Sequence, residues 1–203
     1  LYAAGDTSCS GFHGADILPG NRMLDAVLGG AAAGAHAGKW VKNRQFTNAQ
    51  AAHEAEQAAQ ADHSAVSELS DEGVVRVGHV VTKVRDAVQS SLGMSRDADG
   101  LTSLIETLEA ASVLAESIHV DQSSLIANMN LVEIARVQAS ARLSLAAAQS
   151  DLARKETRGS NHRSDFTEFN EEHLHHYAVN QMGEVSTLAL RKSKSGNWIL
   201  TPQ

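Results

Sequence analysis

The chain has 203 residues, of which 42% are hydrophobic and only 4% aromatic. Alanine is its most frequent residue and there are only 2 prolines, a composition that favours closely packed helices and excludes a β-branched, aromatic-rich sandwich. The 17 basic and 24 acidic residues leave a net charge of −7, which argues against a nucleic-acid partner. The mean hydropathy of −0.23 comes without a long apolar run, so no membrane span is expected.

Residues 1–4 (Leu-Tyr-Ala-Ala) read as a short buried strand. With no initiator Met before them, the chain is expected to be a piece of something longer. Residues 5–20 form a loop punctuated by Gly5, Gly11, Gly14 and Gly20. It contains the sole cysteine, Cys9, which excludes an internal disulfide and any Cys-rich zinc or iron–sulfur site in this chain. Asn21 is placed as the N-cap of an apolar helix through Met23, Leu24, Val27 and Leu28 to Ala37. Gly29, Gly30 and Gly34 within that helix suggest close backbone approach to a sheet or a ligand.

Residues 47–69 predict a largely exposed Ala/Gln/Glu helix. Val74, Val77, Val81, Val84 and Val88 recur at helical spacing, which predicts a helix over 74–92 despite the β-branched side chains. Leu101, Leu104, Ile105, Leu108, Ala111, Ala115 and Ile118 give an amphipathic stripe over 100–120. Leu125, Met129, Val132, Ile134, Val137, Leu143 and Leu145 make 123–153 apolar on several sides, the expected centre of a bundle. The joints at 70–73, 97–100 and 121–124 suit short antiparallel connections. Near the end, 177–179, 185–190 and 198–200 are short apolar runs, with 181–183 as a turn; a small hairpin or meander is expected.

A strand ending in Gly5-Asp6, a glycine-rich loop and a helix opening at Asn21-Arg22-Met23 form a ligand-cradling order. Gly lets backbone approach a flat or phosphorylated group, a carboxylate accepts hydroxyl hydrogen bonds, and a helix start offers free N–H groups. The segments Leu1-Tyr2-Ala3-Ala4-Gly5-Asp6, Gly11-Phe12-His13-Gly14-Ala15 and Gly20-Asn21-Arg22-Met23-Leu24-Asp25-Ala26-Val27 resemble the flavoproteins of succinate dehydrogenase, fumarate reductase and L-aspartate oxidase. A second stretch does so too: Arg154-Lys155-Glu156-Thr157-Arg158-Gly159, followed by Arg163-Ser164-Asp165-Phe166 and Glu171-Glu172-His173-Leu174.

The resemblance implies a mainly α chain. Residues 1–45 would be the closing strand–loop–helix of an FAD-binding α/β domain, 46–155 a helical bundle domain, and 156–203 a C-terminal extension with short strands. It implies FAD as cofactor, with Asp6, His13, Gly14, Gly20, Asn21, Arg22 and Met23 on the cofactor side, no catalytic residue in this chain and no metal. Asp6 takes the position of an acidic residue that binds cofactor hydroxyls, and 21–23 lie where a helix start meets the flavin pyrimidine. The implied reaction is hydride transfer to or from a small dicarboxylate. The implied partners are an N-terminal FAD-binding chain or segment and an iron–sulfur protein. The implied location is cytoplasmic, peripheral to the inner face of a membrane through partners, with the mitochondrial matrix as the alternative.

Several positions depart from the family pattern. Ile17 stands where the family has an Arg that grips a substrate carboxylate, and no alkyl chain replaces a guanidinium clamp. Asp16, Pro19 and Arg22 also differ, and Asn161 takes the place of a family His. A non-catalytic structural role, or a less anionic substrate, is the alternative these departures favour. Arg154, Lys155, Arg158 and Arg163 beside Glu156 are expected to form a buried or interfacial network that orients the tail. His13 is read as loop-shaping, and His173, His175 and His176 as part of a surface helix rather than a metal site.

Overall fold

A computed structural model of the chain describes residues 1–11, 13–15, 17–42, 44, 49–67, 75–115, 117–119, 127–180, 182–192 and 198–200. The expected joints at 70–73 and 121–124, and Phe12, Asp16, Val74, Leu125 and Gln181, lie outside these residues. Two compact units divide the chain, Leu1–Gln57 and Ala58–Gln203.

The first unit opens without the expected strand. Ala4 is extended in backbone, but Leu1 and Tyr2 are exposed and 1–4 pair with no described strand. A strand exists only where a neighbour supplies the ladder hydrogen bonds, and among the described residues of this unit there is none. A single 3₁₀ turn, Gly5–Thr7, follows, and then the loop to helix α1, Asn21–Val41. The N-cap of α1 is Gly20, not Asn21: the chain enters the helix through a left-handed residue (φ 90°), a conformation glycine adopts without steric cost. No α1 residue is buried, although Met23, Leu24, Val27 and Leu28 are large and apolar. Helix α2, Ala49–Ser67, is exposed through the part whose side chains are described.

In the second unit, α3 (Val77–Ser91), α4 (Ala98–Ala115) and α5 (Met129–Ala153) pack as a three-helix bundle. The predicted stripes supply most of its core, joined by Val80 and Leu131, which they did not include, while Val77, Val81 and Val88 are only partly buried against it. Val80 and Val84 come from α3, Leu101, Leu104 and Leu108 from α4, and Leu131, Ile134 and Val137 from α5. Ala111, Ala115, Ala141 and Ala148 are buried with them. Both α4 and α5 contribute buried residues along their length. Met129, Val132 and Leu143 leave one face of α5 exposed, so its apolar residues on several sides do not all face protein.

Helix ends are closed by side chains. Asn128 caps α5, accepting from the amides of Asn130 (3.0 Å) and Leu131 (3.4 Å). Removing that acceptor in Asn128→Ala is expected to lower stability by about 1 kcal/mol, read from urea unfolding. Asp97 accepts from the Gly100 amide at 2.7 Å, and Asp165 from the Ala98 amide at 2.9 Å.

Two small sheets complete the unit. Strand β1 (Ser95–Arg96) pairs in parallel with β2 (His162–Arg163), joining the α3–α4 turn to the segment after α5. Strands β3 (His175–Val179), β4 (Val185–Lys192) and β5 (Trp198–Leu200) form an antiparallel meander, with Val179 opposite Val185 across the turn. The expected tail meander is therefore present.

Candidate functional site

In the first unit the loop is folded against the opening turns of α1. Gly5 has φ 67°, and a Cβ there would meet the Ala26 Cβ at 3.2 Å, so the turn after residue 4 sits on the helix where only hydrogen fits. The Ser8 hydroxyl donates to the Gly5 carbonyl at 2.8 Å and the Thr7 hydroxyl to that of Ala4 at 3.1 Å. Gly29 approaches the Ala4 side chain, whereas Gly30 and Gly34 face open space, so the glycines of α1 do not all serve one close contact.

One charge pair and one histidine–carboxylate contact lie between loop and helix. The Arg22 guanidinium donates to an Asp6 oxygen at 3.1 Å, with both side chains mostly exposed. Such a pair contributes only about 0–1 kcal/mol. Its consequence is positional: Asp6 is held beside the first turn of α1, and Arg22 is engaged by Asp6. The His13 Nε2 lies 3.4 Å from an Asp25 oxygen, both side chains largely covered. The nearby Asp25, four residues into the helix, escaped sequence reasoning.

A cavity of about 590 Å³ opens between loop and helix. His13 and Asn21 line it, together with small residues such as Ala3, Ser8, Cys9 and Gly29 and the apolar Leu24 and Leu28. Asp6, Gly14, Gly20, Arg22 and Met23 do not line it. The expected site residues therefore divide. His13 and Asn21 face the cavity, Asp6 and Arg22 pair beside it, and Met23 points outward. The N-terminus of α1 carries no side-chain cap; its first amide, that of Asn21, donates to the Leu18 carbonyl at 3.1 Å. No Lys or Arg lines the cavity among the described residues.

The second unit holds the charged knot anticipated around residues 154–163. Glu156 is wholly buried. Arg158 donates to its two oxygens from Nε (2.8 Å) and Nη2 (3.0 Å). The Arg154 guanidinium and the Asn170 amide donate to the same carboxylate, each at 3.0 Å. Burial pushes the Glu156 carboxyl up, but the Arg158 hydrogen bond, the Asn170 amide, the Arg158 charge and Arg154 together hold it below its ordinary value.

Arg163 is equally buried. Its Nε and Nη2 grip the two oxygens of Asp165 at 2.8 and 2.7 Å, and its Nη1 donates to the carbonyls of Asp151 and Arg154. The Arg163 hydrogen bond is the chief reason the Asp165 carboxyl titrates low. Asp151 in turn pairs with Arg96 and accepts from Asn161 at 2.6 Å. Asn161, read as standing in for a histidine, is thus a buried structural donor, while His162 is exposed beside Ser95. Arg96 and Asp151 were missed in the sequence because neither lies in the arginine-rich stretch. The signal was a set of arginines with too few local carboxylates to satisfy them.

The histidines of 173–176 do not form a surface helix. His173 ends a 3₁₀ turn, Glu171–His173, and His175 and His176 begin β3, half-buried. Alternating sides of a strand separate neighbours that a helix would have spread around its axis.

The second unit is thus an α-helical domain: a three-helix bundle closed by a buried arginine–carboxylate knot and followed by a meander. Solved structures share this fold. A quinol fumarate reductase chain from E. coli superposes with TM-score 0.77 at 23% identity, covering 99% of this chain and 33% of that one. An apo-form Sdh1 complex of Mycobacterium smegmatis gives 0.74 at 19% identity, covering 100% and 33%. Residues 81–198 match the family described as fumarate reductase flavoprotein C-term, and the chain belongs to that family.

Among curated relatives, the fumarate reductase flavoprotein subunit of Mycobacterium tuberculosis is 27% identical over 177 residues, 86% of this chain and 30% of that protein. The succinate dehydrogenase flavoprotein subunit of Rickettsia bellii is 25% identical over 190 residues, 94% of this chain and 31% of that protein. The chain spans about a third of the length of the relatives it matches.

Proposed function

We propose that the chain is the C-terminal portion of an FAD-dependent oxidoreductase of the succinate dehydrogenase/fumarate reductase type, with the first unit forming one wall of the FAD site. The observation that carries this reading is α1 itself. Its apolar face is unburied, its N-terminus has no side-chain cap, and a glycine-rich loop folds beside it over an open cavity. A helix so built gains stability by packing against further protein and by receiving an electron-rich group at its start.

The residues present fit such a group. At the start of α1 the amides of Arg22 and Met23 would meet a negative or electron-rich edge, and Asp6, held beside that turn by Arg22, would accept hydrogen bonds from hydroxyls. The small lining of Ala3, Ser8 and Gly29 admits a flat ring. Bound FAD would supply hydride transfer. This chain's own residues would bind and orient it rather than move protons, and the domain division is proposed as 1–45, 46–155 and 156–203. An N-terminal FAD-binding segment or chain and an iron–sulfur protein are the proposed partners. Among the described residues no helix is long and apolar enough to cross a membrane, and the proposed attachment is peripheral, through those partners.

The test is flavin content of the complete assembly purified with the region that supplies the dinucleotide fold. Stoichiometric flavin is expected in the wild type. Asp6→Ala is expected to weaken FAD retention about tenfold, as loss of a charge-assisted hydrogen bond does. An assembly that folds but holds no flavin would favour the structural role instead.

One observation favours a second reading of the substrate. The cavity lining carries the Asp25 carboxylate, Ile17 stands at the expected clamp position, and no guanidinium lines the space among the described residues. A less anionic substrate than a dicarboxylate suits that balance. Succinate-dependent bleaching of the flavin separates the two: bleaching supports the dicarboxylate, its absence in a flavin-loaded assembly the other.

A further inference from the structure

Away from the glycine-rich loop, a cluster of aromatic and charged side chains joins the meander to the end of α5. The Arg154 guanidinium, at the C-cap of α5, lies 4.7 Å from the centre of the Tyr177 ring. The Tyr177 hydroxyl and His173 Nδ1 are 2.5 Å apart. The His175 ring sits 4.6 Å from that of Tyr177 and 5.9 Å from that of His173. The Nε2 atoms of His175 and His176 are buried, with no hydrogen-bond partner among the described residues.

A neutral imidazole tolerates this setting, because an unprotonated Nε2 is only a bare acceptor. A protonated one is not tolerated. The added N–H finds no acceptor, and the new charge sits in a covered space beside a guanidinium. The charged and titratable groups facing His175 come from every element around it. They are Arg154 from α5, His173 and the backbone of Glu172 from the 3₁₀ turn, Glu156 from the intervening segment and Tyr177 from β3. Across the ladder its partner is Ala189 of β4, which brings no charge.

We infer that the His175 cluster is a proton-operated latch: uncharged, it seats the β3–β4 meander on the end of α5, and protonation releases it. The electrostatics agree with the geometry. Burial first, then His173 and Arg154, hold His175 below its ordinary value, against weaker pulls upward from Glu172 and Glu156. The sign follows. The seated state binds the proton less tightly than the released state, whose histidine ionises near 6.5. Seating is therefore complete above that pH, weakens as pH falls through it, and stops weakening only below the lower folded value. Glu156 and Asp165 are held below their ordinary values of 4.5 and 3.8, so both are charged at the two pH values of the test below.

The test is hydrogen–deuterium exchange of the full chain at about pH 7.5 and about pH 5, corrected for intrinsic rates. Protection of amides 177–179 and 185–187 is expected to fall severalfold at the lower pH. Amides 104–108 of α4 should hold their protection. His175→Phe, which fills the space without a titrating group, should abolish the pH effect. An unchanged wild-type meander, or an equal drop in His175→Phe, overturns the latch. Should that variant fail to fold, an NMR titration of wild-type His175 decides. Ionisation below 6.5 that moves together with meander resonances supports the proposal, and ionisation at or above 6.5 overturns it.

Discussion

An Arg163→Met variant is expected to unfold with a stability lower by about 3–5 kcal/mol, the usual cost of removing one member of a buried ion pair. The size follows from what Arg163 serves. Its Nη1 satisfies the carbonyls of Asp151 and Arg154, just where α5 ends and its last carbonyls lack helical donors. Its other two nitrogens hold Asp165, and Asp165 in turn caps α4 through the Ala98 amide. One guanidinium thus closes the ends of two helices. Asp165 is partly exposed, so water recovers some of its loss. The carbonyls around the wholly buried Arg163 are less accessible and carry most of the penalty. Arg163→Lys keeps the charge but offers a point donor in place of a fork, and should regain only part of the loss. Urea unfolding of the full chain reads both. A methionine variant within about 0.5 kcal/mol of wild type, the range of ordinary surface substitutions, would show that the knot is not structural.

The bundle was legible because its signal is periodic and local. Val77, Val81, Val84 and Val88 fall along α3, and Leu101, Leu104, Leu108, Ala111 and Ala115 mark the buried face of α4. Helical spacing outweighed the β preference of valine, since burial of one face decides the structure of such a segment. The arginine knot was half legible. Its basic members cluster in sequence, but Arg96 meets Asp151 across 55 residues, brought there by the β1–β2 pairing.

Residues 1–4 misread because strand propensity speaks only of a residue's fitness for a sheet, and the described residues of this unit include no sheet for them to join. The cap at Gly20 was hidden for a different reason. Asn is a common cap, but the left-handed entry at 20 moved the helix start onto Asn21 as its first turn. In the loop site, the His13–Asp25 pair depends on how loop and helix fold together, which no spacing rule reports. The family resemblance supplied the order of these segments. The geometry added that Asp6 and Arg22 are mutually engaged, which the separate positions did not reveal.

Glu156→Gln is expected to cost about 3 kcal/mol at neutral pH and almost nothing in acid, and that difference is the diagnostic. Glutamine keeps the shape and one acceptor oxygen, so packing changes little. What it removes is the negative charge that neutralises Arg154 and Arg158 in a space where the carboxylate itself is fully covered. Those two guanidinia also lie over the Tyr177 and Phe169 rings, so neither swings freely to solvent when the charge is lost. Folding holds the Glu156 carboxyl below its ordinary value of 4.5. A carboxylate so depressed adds its full stabilisation above the unfolded value and loses it as pH falls through the folded one. Wild type and variant should therefore differ most at about pH 7 and converge as the pH drops well below 4.5, when the wild-type side chain is itself neutral. Urea midpoints at about pH 7 and about pH 3 measure it. A gap that stays constant across that range would assign the role of Glu156 to shape rather than charge. A gap that closes identifies the carboxylate as the ion around which the segment after α5 folds.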